Sequence, residues 1–292
     1  MNSGARQRGP LDRNGLAALS DLKTEAWNGV FRSLEREQSD FLARQPGFRR
    51  PESTWPVDPL HTWSRVWEYP YVYHHLKRWR SGRAASAMPK VADVGSQVTF
   101  FPFAVARLGF HVLCTDIDPA CETALEQAIK HVPHDPGSVA FRLASETTLP
   151  LEDEECDAVY CISTLEHIPR FEGTVREMAR VLRSGGLLLL TIDLDLQGNA
   201  AIGPARYTEL RDVLRESFRD ATPEVTVHPA DVLDCSNGPY PMVAPLSRRA
   251  RSWFVFKQEV LKPLLGRPSY PMLRYRLAVQ GLALEKLVRS TL

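Results

Sequence analysis

Residues 91–118, VADVGSQVTFFPFAVARLGFHVLCTDID, constrain the fold of this chain more than any other segment. An apolar strand runs into a turn at Gly95, a helix follows, and a second apolar strand ends at Asp116. Apolar strands joined by helices are typical of a parallel sheet that is covered on both faces. Asp116 follows Gly95 by 21 residues, the spacing at which an acidic side chain reaches ribose hydroxyls in such folds. The segment therefore predicts a nucleoside site at the carboxyl edge of a parallel sheet.

The turn after Gly95 departs from the glycine-rich pattern of dinucleotide-binding proteins. That pattern carries three glycines because a pyrophosphate must approach bare backbone at a helix N-terminus. Here Ser96, Gln97, Val98 and Thr99 follow Gly95. The turn favours a nucleoside without phosphates and argues against a nicotinamide-dependent reductase.

The alternation of strands and helices divides the chain into three parts. Residues 1–15, rich in Gly, Arg and Asn, are predicted to be disordered, and residues 16–89 to form a helical cap. In that cap Pro70 is expected to end or kink a helix, because proline has no N–H to donate. Residues 90–292 are predicted to form the main domain, with a variable part after residue 193. Its predicted strands are residues 91–95, 110–115, 138–143, 157–163 and 187–193, followed by weaker strand patterns at 225–232 and 253–256.

Composition excludes several classes of protein. The net charge of the 292 residues is +1, which argues against a strong overall attraction to nucleic acid or to an anionic membrane. The longest apolar run, residues 187–192, is too short to span a bilayer. The five cysteines form no C-x-x-C pair, which indicates free thiols in a reducing compartment. We expect a cytoplasmic protein without a membrane span, and a homodimer stays an open alternative.

Four motifs in order resemble one known family. They are VADVGS, TDID, LPLEDEECDAVYCISTLEHIP and REMARVLRSGGLLLLTID, and together they cover residues 90–193. In sequence and spacing they resemble the class I S-adenosylmethionine-dependent methyltransferases of the bacterial small-molecule type. The resemblance implies a Rossmann-like α/β fold, with a doubly wound, mostly parallel seven-stranded sheet, that binds S-adenosylmethionine as cofactor.

The resemblance also implies roles for individual residues at the cofactor site. Gly95, Ser96 and Gln97 would line the methionine and ribose, Asp116 would take the ribose hydroxyls, and Ile117 would pack on adenine. Ser145 stands where the family has an aspartate for the adenine amino group, so Ser145, Glu146 or backbone would replace it. Ser163 would lie near the sulfonium. Gln97 in place of the second glycine and Ser145 in place of the aspartate are the two departures from the family pattern.

Candidate catalytic and substrate-binding residues follow the strands or belong to the cap. His167 and Asp193 are candidate bases, since proton transfer is needed when the acceptor is a hydroxyl or a protonated amine. For His167 the competing interpretation is a histidine that fixes its loop. The cap contributes an aromatic cluster with one acid, from which Trp67, Glu68, Tyr69 and Tyr73 are predicted to contact the substrate, with Asp195 beyond the fifth strand. Asp193, Asp195 and Glu166 lie in no recognisable metal-binding loop, so no metal is predicted.

The region 248–276 stays open to several interpretations. It combines eight Lys or Arg with a single acid, Glu259, and with several aromatic residues. Phosphate, nucleic acid and an anionic lipid surface are candidate partners, and a solvated face that offsets the acidic residues 152–157 is the favoured alternative. The predicted function is methyl transfer to a hydroxyl, or less readily an amine, of a small metabolite such as a natural product or sugar. The alternative is a partner subunit that binds the cofactor but is catalytically inactive.

Overall fold

Five parallel strands form the centre of one sheet in the computed structural model, which describes residues 9–49, 53, 55–82, 88–198, 202–243, 247–266 and 275–288. In the described residues the strands, in chain order, are β1 (Gly15–Leu16), β2 (Lys90–Val94), β3 (His111–Asp116), β4 (Ser138–Leu143), β5 (Cys156–Ile162), β6 (Leu182–Asp195), β7 (Phe218–Asp220) and β8 (Leu277–Lys286). Their order is β1-β8-β6-β5-β2-β3-β4, and β7 also pairs with β8. Strands β2 to β6 run parallel, and β8 is antiparallel to β6, β1 and β7. The chain leaves β2 toward β3 and later returns to its other side at β5, so the strand order reverses at β2, where ligands bind in doubly wound sheets.

Helices cover both faces of this sheet, because successive strand residues point to opposite sides. The described helices are α1 (Glu25–Arg44), α2 (Arg65–Ser81), α3 (Phe101–Ala106), α4 (Pro119–His131), α5 (Phe171–Val181), α6 (Pro204–Arg215), α7 (Arg248–Phe256) and α8 (Lys262–Leu264). One buried cluster joins Val91 and its face of the sheet to α1, α2, α3 and α4. A second joins Ala92 and the opposite face to α5 and α6. The predicted doubly wound, mostly parallel architecture is confirmed, with β1 as an eighth strand.

The N-terminal region is more ordered than its composition predicts. Residues 1–8 lie outside the described residues, but Leu11, Asp12 and Asn14 are buried, and Gly15 pairs with Gly281 in β8. The Asn14 Oδ1 atom accepts a hydrogen bond from the Ala283 backbone N–H at 2.7 Å. The prediction of disorder is therefore wrong for residues 9–15, because these side chains complete the edge of the sheet.

Helix α2 continues through Pro70 instead of ending there. A proline at this position leaves the carbonyl of Val66, four residues earlier, without its helical N–H donor. The Trp27 indole Nε1 donates to that oxygen at 3.0 Å. The expected break is absent because a side chain from α1 replaces the missing backbone hydrogen bond.

The C-terminal part differs most from the sequence prediction. Residues 225–232 form no strand, apart from an isolated bridge at Val232, and residues 253–256 belong to helix α7 rather than to a strand. The long strand β8 was not predicted. It lies beneath α2, where a Cβ atom on Gly281 would come within 2.6 Å of the Trp67 ring, so this close packing requires glycine.

The five cysteines are free and buried. Among the described residues, no helix has the length and apolar character needed to cross a membrane.

Candidate functional site

A cavity of about 210 Å³ opens at the carboxyl ends of β2, β5 and β6, beneath the segment that leads into α2. Parallel strands bring their carboxyl ends to one edge, so residues distant in sequence meet there. The lining residues are Pro56, Pro59, Thr62, Ser64, Arg65, Tyr69, Asp93, Gly95, Ser96, Gln97, Thr99, Phe101, Tyr160, Ile162, Ser163, Thr164, His167 and Asp193. The cavity therefore combines the glycine turn, the two predicted catalytic residues and part of the cap.

Position 95 requires glycine for two reasons, the backbone conformation and the close approach of Thr164. Its φ is +77°, and a Cβ atom there would lie 2.4 Å from Thr164 Oγ1 and 2.6 Å from Thr164 Cγ2. The backbone N–H groups of Gly95 and Ser96 both donate to the Thr115 carbonyl, at 2.9 and 3.1 Å. The absence of a side chain thus allows the loop after β5 to close over the turn after β2.

Gln97 adopts the backbone conformation that glycine favours. Its φ is +47°, in the left-handed region that costs other residues about 1–2 kcal/mol. The Gln97 N–H donates to Asp116 Oδ2 at 2.9 Å, and the Asp118 N–H donates to Asp116 Oδ1 at 3.0 Å. The turn adopts this conformation without a second glycine because its backbone is hydrogen bonded to the Asp116 carboxylate.

The other residues predicted to contact adenosine lie at the ends of β3 and β4, outside the cavity lining. Ile117 is 61% exposed, an unusual position for a large apolar side chain beside a carboxylate. Ser145 and Glu146 are exposed, and the Ser145 Oγ atom accepts hydrogen bonds from the N–H groups of Thr147 and Thr148. Their strand is joined to Asp116, because the Ala144 N–H donates to the Asp116 carbonyl at 2.9 Å. The Ser145 hydroxyl thus orders its own turn.

Ser163 connects the cap to the sheet. Its Oγ atom accepts from Arg65 Nη1 at 2.6 Å and donates to Glu68 Oε1 at 2.6 Å, with Asp193 Oδ1 at 3.5 Å. Arg65 also pairs directly with the fully buried Glu68. Glu68, which was predicted to contact the substrate, is instead the buried partner of Arg65. Arg65 and Ser163 line the cavity, and Glu68 lies behind them.

Two further carboxyl groups adjoin this ion pair. Glu166 is buried, and its Oε1 atom accepts from the Asp193 N–H at 3.3 Å, while Oε2 has no partner in the described structure. Burial raises the pKa of Glu166 to about 7. Burial, together with the charges of Glu166 and Glu68, raises the pKa of Asp193 well above its usual range. Because more carboxyl groups than cations meet here, the surroundings of Asp193 favour its protonated form.

His167 is the imidazole in the cavity lining. It ends the short 3₁₀ helix Leu165–His167 that follows β5. Partial burial and the positive charge of Arg65 lower its pKa, so the ring is neutral near pH 7 and can accept a proton.

Asp93 and Tyr160 form a buried pair on the cavity floor. The Tyr160 hydroxyl donates to Asp93 Oδ2 at 2.9 Å. Burial raises the pKa of Asp93 to about 8. The floor is thus nearly uncharged at neutral pH, although it contains a carboxyl group.

The predicted substrate contacts in the cap are only partly at the cavity. Tyr69 lines it and stacks on Phe101, with ring centroids 4.5 Å apart. Trp67 lies over β8, where its Nε1 atom donates to Asp21 Oδ2 at 2.8 Å. Tyr73 is buried and hydrogen bonds with Ser33, away from the cavity. Trp67 and Tyr69 are two residues apart on α2 and so face different ways, whereas Tyr73 is on the face of Tyr69 but one turn further along the helix.

Asp195 also lies outside the cavity lining. It is fully buried, and its Oδ1 atom accepts from the Gln197 N–H at 2.9 Å. Within the described residues, no group of three His, Cys, Asp or Glu side chains has the arrangement of a metal site.

Sequence reasoning missed Arg65, Asp93 and Tyr160 as site residues. The signal for Asp93 was available, because it lies two residues before Gly95 at the end of an apolar strand. Arg65 gave a weaker signal, a cation three residues before the one acid of an aromatic segment. Tyr160 gave none, since only the pairing of β2 with β5 brings it to Asp93.

The central part of this chain matches a known protein family. The pattern of the methyltransferase-domain family matches residues 92–190. A ubiquinone biosynthesis O-methyltransferase from Xanthomonas oryzae is 30% identical over 169 residues, which is 58% of this chain and 64% of that protein. The chain thus matches less than two thirds of that relative's length. An uncharacterized methyltransferase from Mycobacterium avium is 33% identical over 44% of this chain and 50% of its own length. A SAM-dependent methyltransferase from Aquifex aeolicus superposes with a TM-score of 0.46 and 13% identity, over 79% of this chain and 94% of that one.

Proposed function

We propose that this chain, whose residues 92–190 form a class I S-adenosylmethionine-dependent methyltransferase domain, transfers a methyl group to a hydroxyl oxygen of a small molecule. The observation that carries the proposal is a cavity that unites the Gly95 turn of this domain with the imidazole of His167 and the buried carboxyl group of Asp193, whose pKa is raised by burial. This arrangement supplies a place for the donor beside a group able to receive a proton.

The residues present fit S-adenosylmethionine. Asp116 uses one lone pair of each oxygen for backbone N–H groups, which leaves acceptor capacity for ribose hydroxyls. The exposed Ile117 offers an apolar surface for adenine. At the cavity, Arg65 would hold the methionine carboxylate, and the stacked Tyr69 and Phe101 would face the cation, which aromatic rings attract. When bound, the cofactor supplies an electrophilic methyl group on its sulfonium.

His167 is the better candidate for the proton acceptor of the two predicted bases. A hydroxyl oxygen that accepts a methyl group loses its proton, and the Nε2 or Nδ1 atom of a neutral imidazole can receive it. The surroundings of Asp193 favour its protonated form, which acts as a hydrogen-bond donor that orients the acceptor. The Ser163 hydroxyl, which is held by Arg65 and Glu68, lies 3.5 Å from Asp193 Oδ1.

The class of acceptor follows from the chemistry and size of the cavity. The relative from Xanthomonas oryzae is an O-methyltransferase, and a basic imidazole with an acid donor suits a hydroxyl acceptor. The cavity of about 210 Å³ is smaller than typical small-molecule sites, which favours a compact acceptor such as a phenol or a single hydroxylated ring.

Two measurements test the proposal. Calorimetry should detect S-adenosylmethionine binding, and incubation with a panel of hydroxylated aromatic compounds and sugars should convert the donor to S-adenosylhomocysteine. If the protein binds S-adenosylmethionine but methylates no compound of a panel that also includes amines, the result would favour the inactive partner subunit. Absence of binding at high micromolar concentration would refute both.

Variants separate the two candidate bases. His167→Ala should lower kcat about 100-fold or more with little change in KM. Asp193→Asn imitates the protonated acid in shape and should keep activity within a few-fold. His131→Ala, on the exposed end of α4, is the control and should have no effect. If Asp193→Asn loses as much activity as His167→Ala, the assignment of roles is wrong.

A further inference from the structure

Residues 247–266 form a helical segment whose apolar side chains face solvent. The Ser247 Oγ atom caps α7 by accepting from the Ala250 N–H at 3.3 Å, and a π-helical turn, Lys257–Leu261, connects α7 to α8. Among the residues of α7, the π-helical turn and α8 whose exposure is described, none is buried. Leu265 is 57% exposed, and Trp253, Phe256, Val260 and Leu264 are 59%, 46%, 42% and 78% exposed.

These four side chains form one stripe. They follow each other at intervals of three, four and four residues, the spacing of a single helix face. The Trp253 and Phe256 rings contact each other, with centroids 5.7 Å apart. A contiguous exposed patch of this kind marks an interaction surface.

The polar residues of the same segment are mostly basic. Residues 247–266 contain five Lys or Arg and one acid, and Arg249, Arg251 and Lys257 are exposed. The chain as a whole has a net charge of only +1, so the positive charge is concentrated beside the apolar stripe. A helix with Trp and Phe on one face and cations around it has the character of helices that lie in the interface of anionic membranes.

The segment extends from the edge of the sheet that holds the cavity. Just before it, Tyr240 packs against His61, with ring centroids 5.1 Å apart, and His61 lies between the lining residues Pro59 and Thr62. After it, Leu277 starts β8 opposite Asp195, two residues beyond the lining residue Asp193. Described residues on both sides of the segment, Tyr240 and Leu277, are therefore near the carboxyl edge of the sheet.

We propose that the surface formed by Trp253, Phe256, Val260, Leu264 and the neighbouring cations binds an anionic lipid surface. The helix lies in the membrane interface with its apolar stripe among the acyl chains and its cations at the lipid headgroups. The cavity edge then faces the membrane. This proposal rests on the helix alone and does not depend on the methyl-transfer reaction.

Vesicle sedimentation tests the proposal with the intact chain. Wild-type protein should sediment with vesicles of phosphatidylcholine and phosphatidylglycerol, should stay in solution with phosphatidylcholine alone, and should be released by 1 M salt. Trp253→Ser/Phe256→Ser should weaken binding about tenfold or more, and Arg251→Glu/Lys257→Glu should do the same. Vesicles with brominated acyl chains should quench part of the tryptophan fluorescence in the wild type and less in the Trp253→Ser/Phe256→Ser variant.

Matched controls keep the result specific. Met88→Ser/Val225→Ser removes two apolar side chains that are 50% and 42% exposed elsewhere, and Lys77→Glu/Lys130→Glu reverses two exposed charges on α2 and α4. Neither control should change binding by more than about twofold. Equal losses in controls and variants overturn the proposal, as does binding to neutral vesicles. A dimer that Trp253→Ser/Phe256→Ser dissociates without lipid, or salt-sensitive binding to RNA in place of vesicles, also overturns it.

Discussion

Substituting Gly95 by alanine tests the contact on which the site geometry depends. The new Cβ atom would lie 2.4 Å from Thr164 Oγ1 and 2.6 Å from Cγ2, closer than side-chain atoms approach each other. Overpacking of this kind costs about 1–3 kcal/mol, and a φ of +77° costs a non-glycine residue about 1–2 kcal/mol more. We expect the free energy of unfolding to fall by about 2–5 kcal/mol.

A double-mutant cycle separates the two contributions. In the Thr164→Ala background the Oγ1 and Cγ2 atoms are gone, so Gly95→Ala should cost only about 1–2 kcal/mol plus a small contact with the remaining Cβ atom. Urea unfolding followed by circular dichroism gives the four free energies, and calorimetry on the folded variants gives the affinity for S-adenosylmethionine. A coupling energy near zero would refute the steric account. So would a cost of Gly95→Ala below about 0.5 kcal/mol.

Three further predictions follow from other contacts. Asp116→Ala should weaken S-adenosylmethionine binding at least tenfold in calorimetry, since it removes both the ribose acceptor and the tie to Gln97; an unchanged Kd would contradict the cofactor assignment. The folded pKa of Asp93, about 8, is above the ordinary 3.8, so its folded form holds a proton that the unfolded chain has released. Stability should therefore fall by up to about 1.4 kcal/mol per pH unit as pH rises from 5 to 8, and Asp93→Asn should flatten this slope in urea titrations. Trp27→Phe should destabilise the protein by about 1–3 kcal/mol, because the Val66 carbonyl loses its donor; a loss below about 0.5 kcal/mol would mean that water replaces the indole.

The central strands could be predicted because their signals are local. Val91, Val112 and Leu188 lie in apolar runs between turn residues, and any buried parallel strand requires such runs. Residues 253–256, in contrast, contain the β-favouring sequence WFVF, yet they are helical, following the Ser247 cap. Strand β8 was missed because residues 277–286 mix small, polar and apolar residues. The pairing of this strand with β6 and β1 depends on the packing of the whole domain and not on its local sequence.

The site shows the same division. Gly95 and Ser163 follow strands directly, His167 lies in the loop after β5, and Asp193 is near the carboxyl end of β6, so a parallel topology is enough to bring them together. Trp67 and Tyr73 were assigned from aromatic composition, but both side chains are buried in the core. The hydroxyl of Ser163 and the guanidinium of Arg65 meet only after α2 has packed on the sheet, and no local pattern encodes that contact.

The position of β8 has a consequence for the order in which the protein folds on the ribosome. β8 lies between β6 and the N-terminal strand β1, but it is synthesised after both of them. Until residues 277–286 emerge, β6 has a free edge and Trp67 lacks the Gly281 surface against which it packs. An unpaired strand of this apolar character is prone to aggregate. Translation of these last strand residues is therefore the step at which the nascent chain closes its sheet.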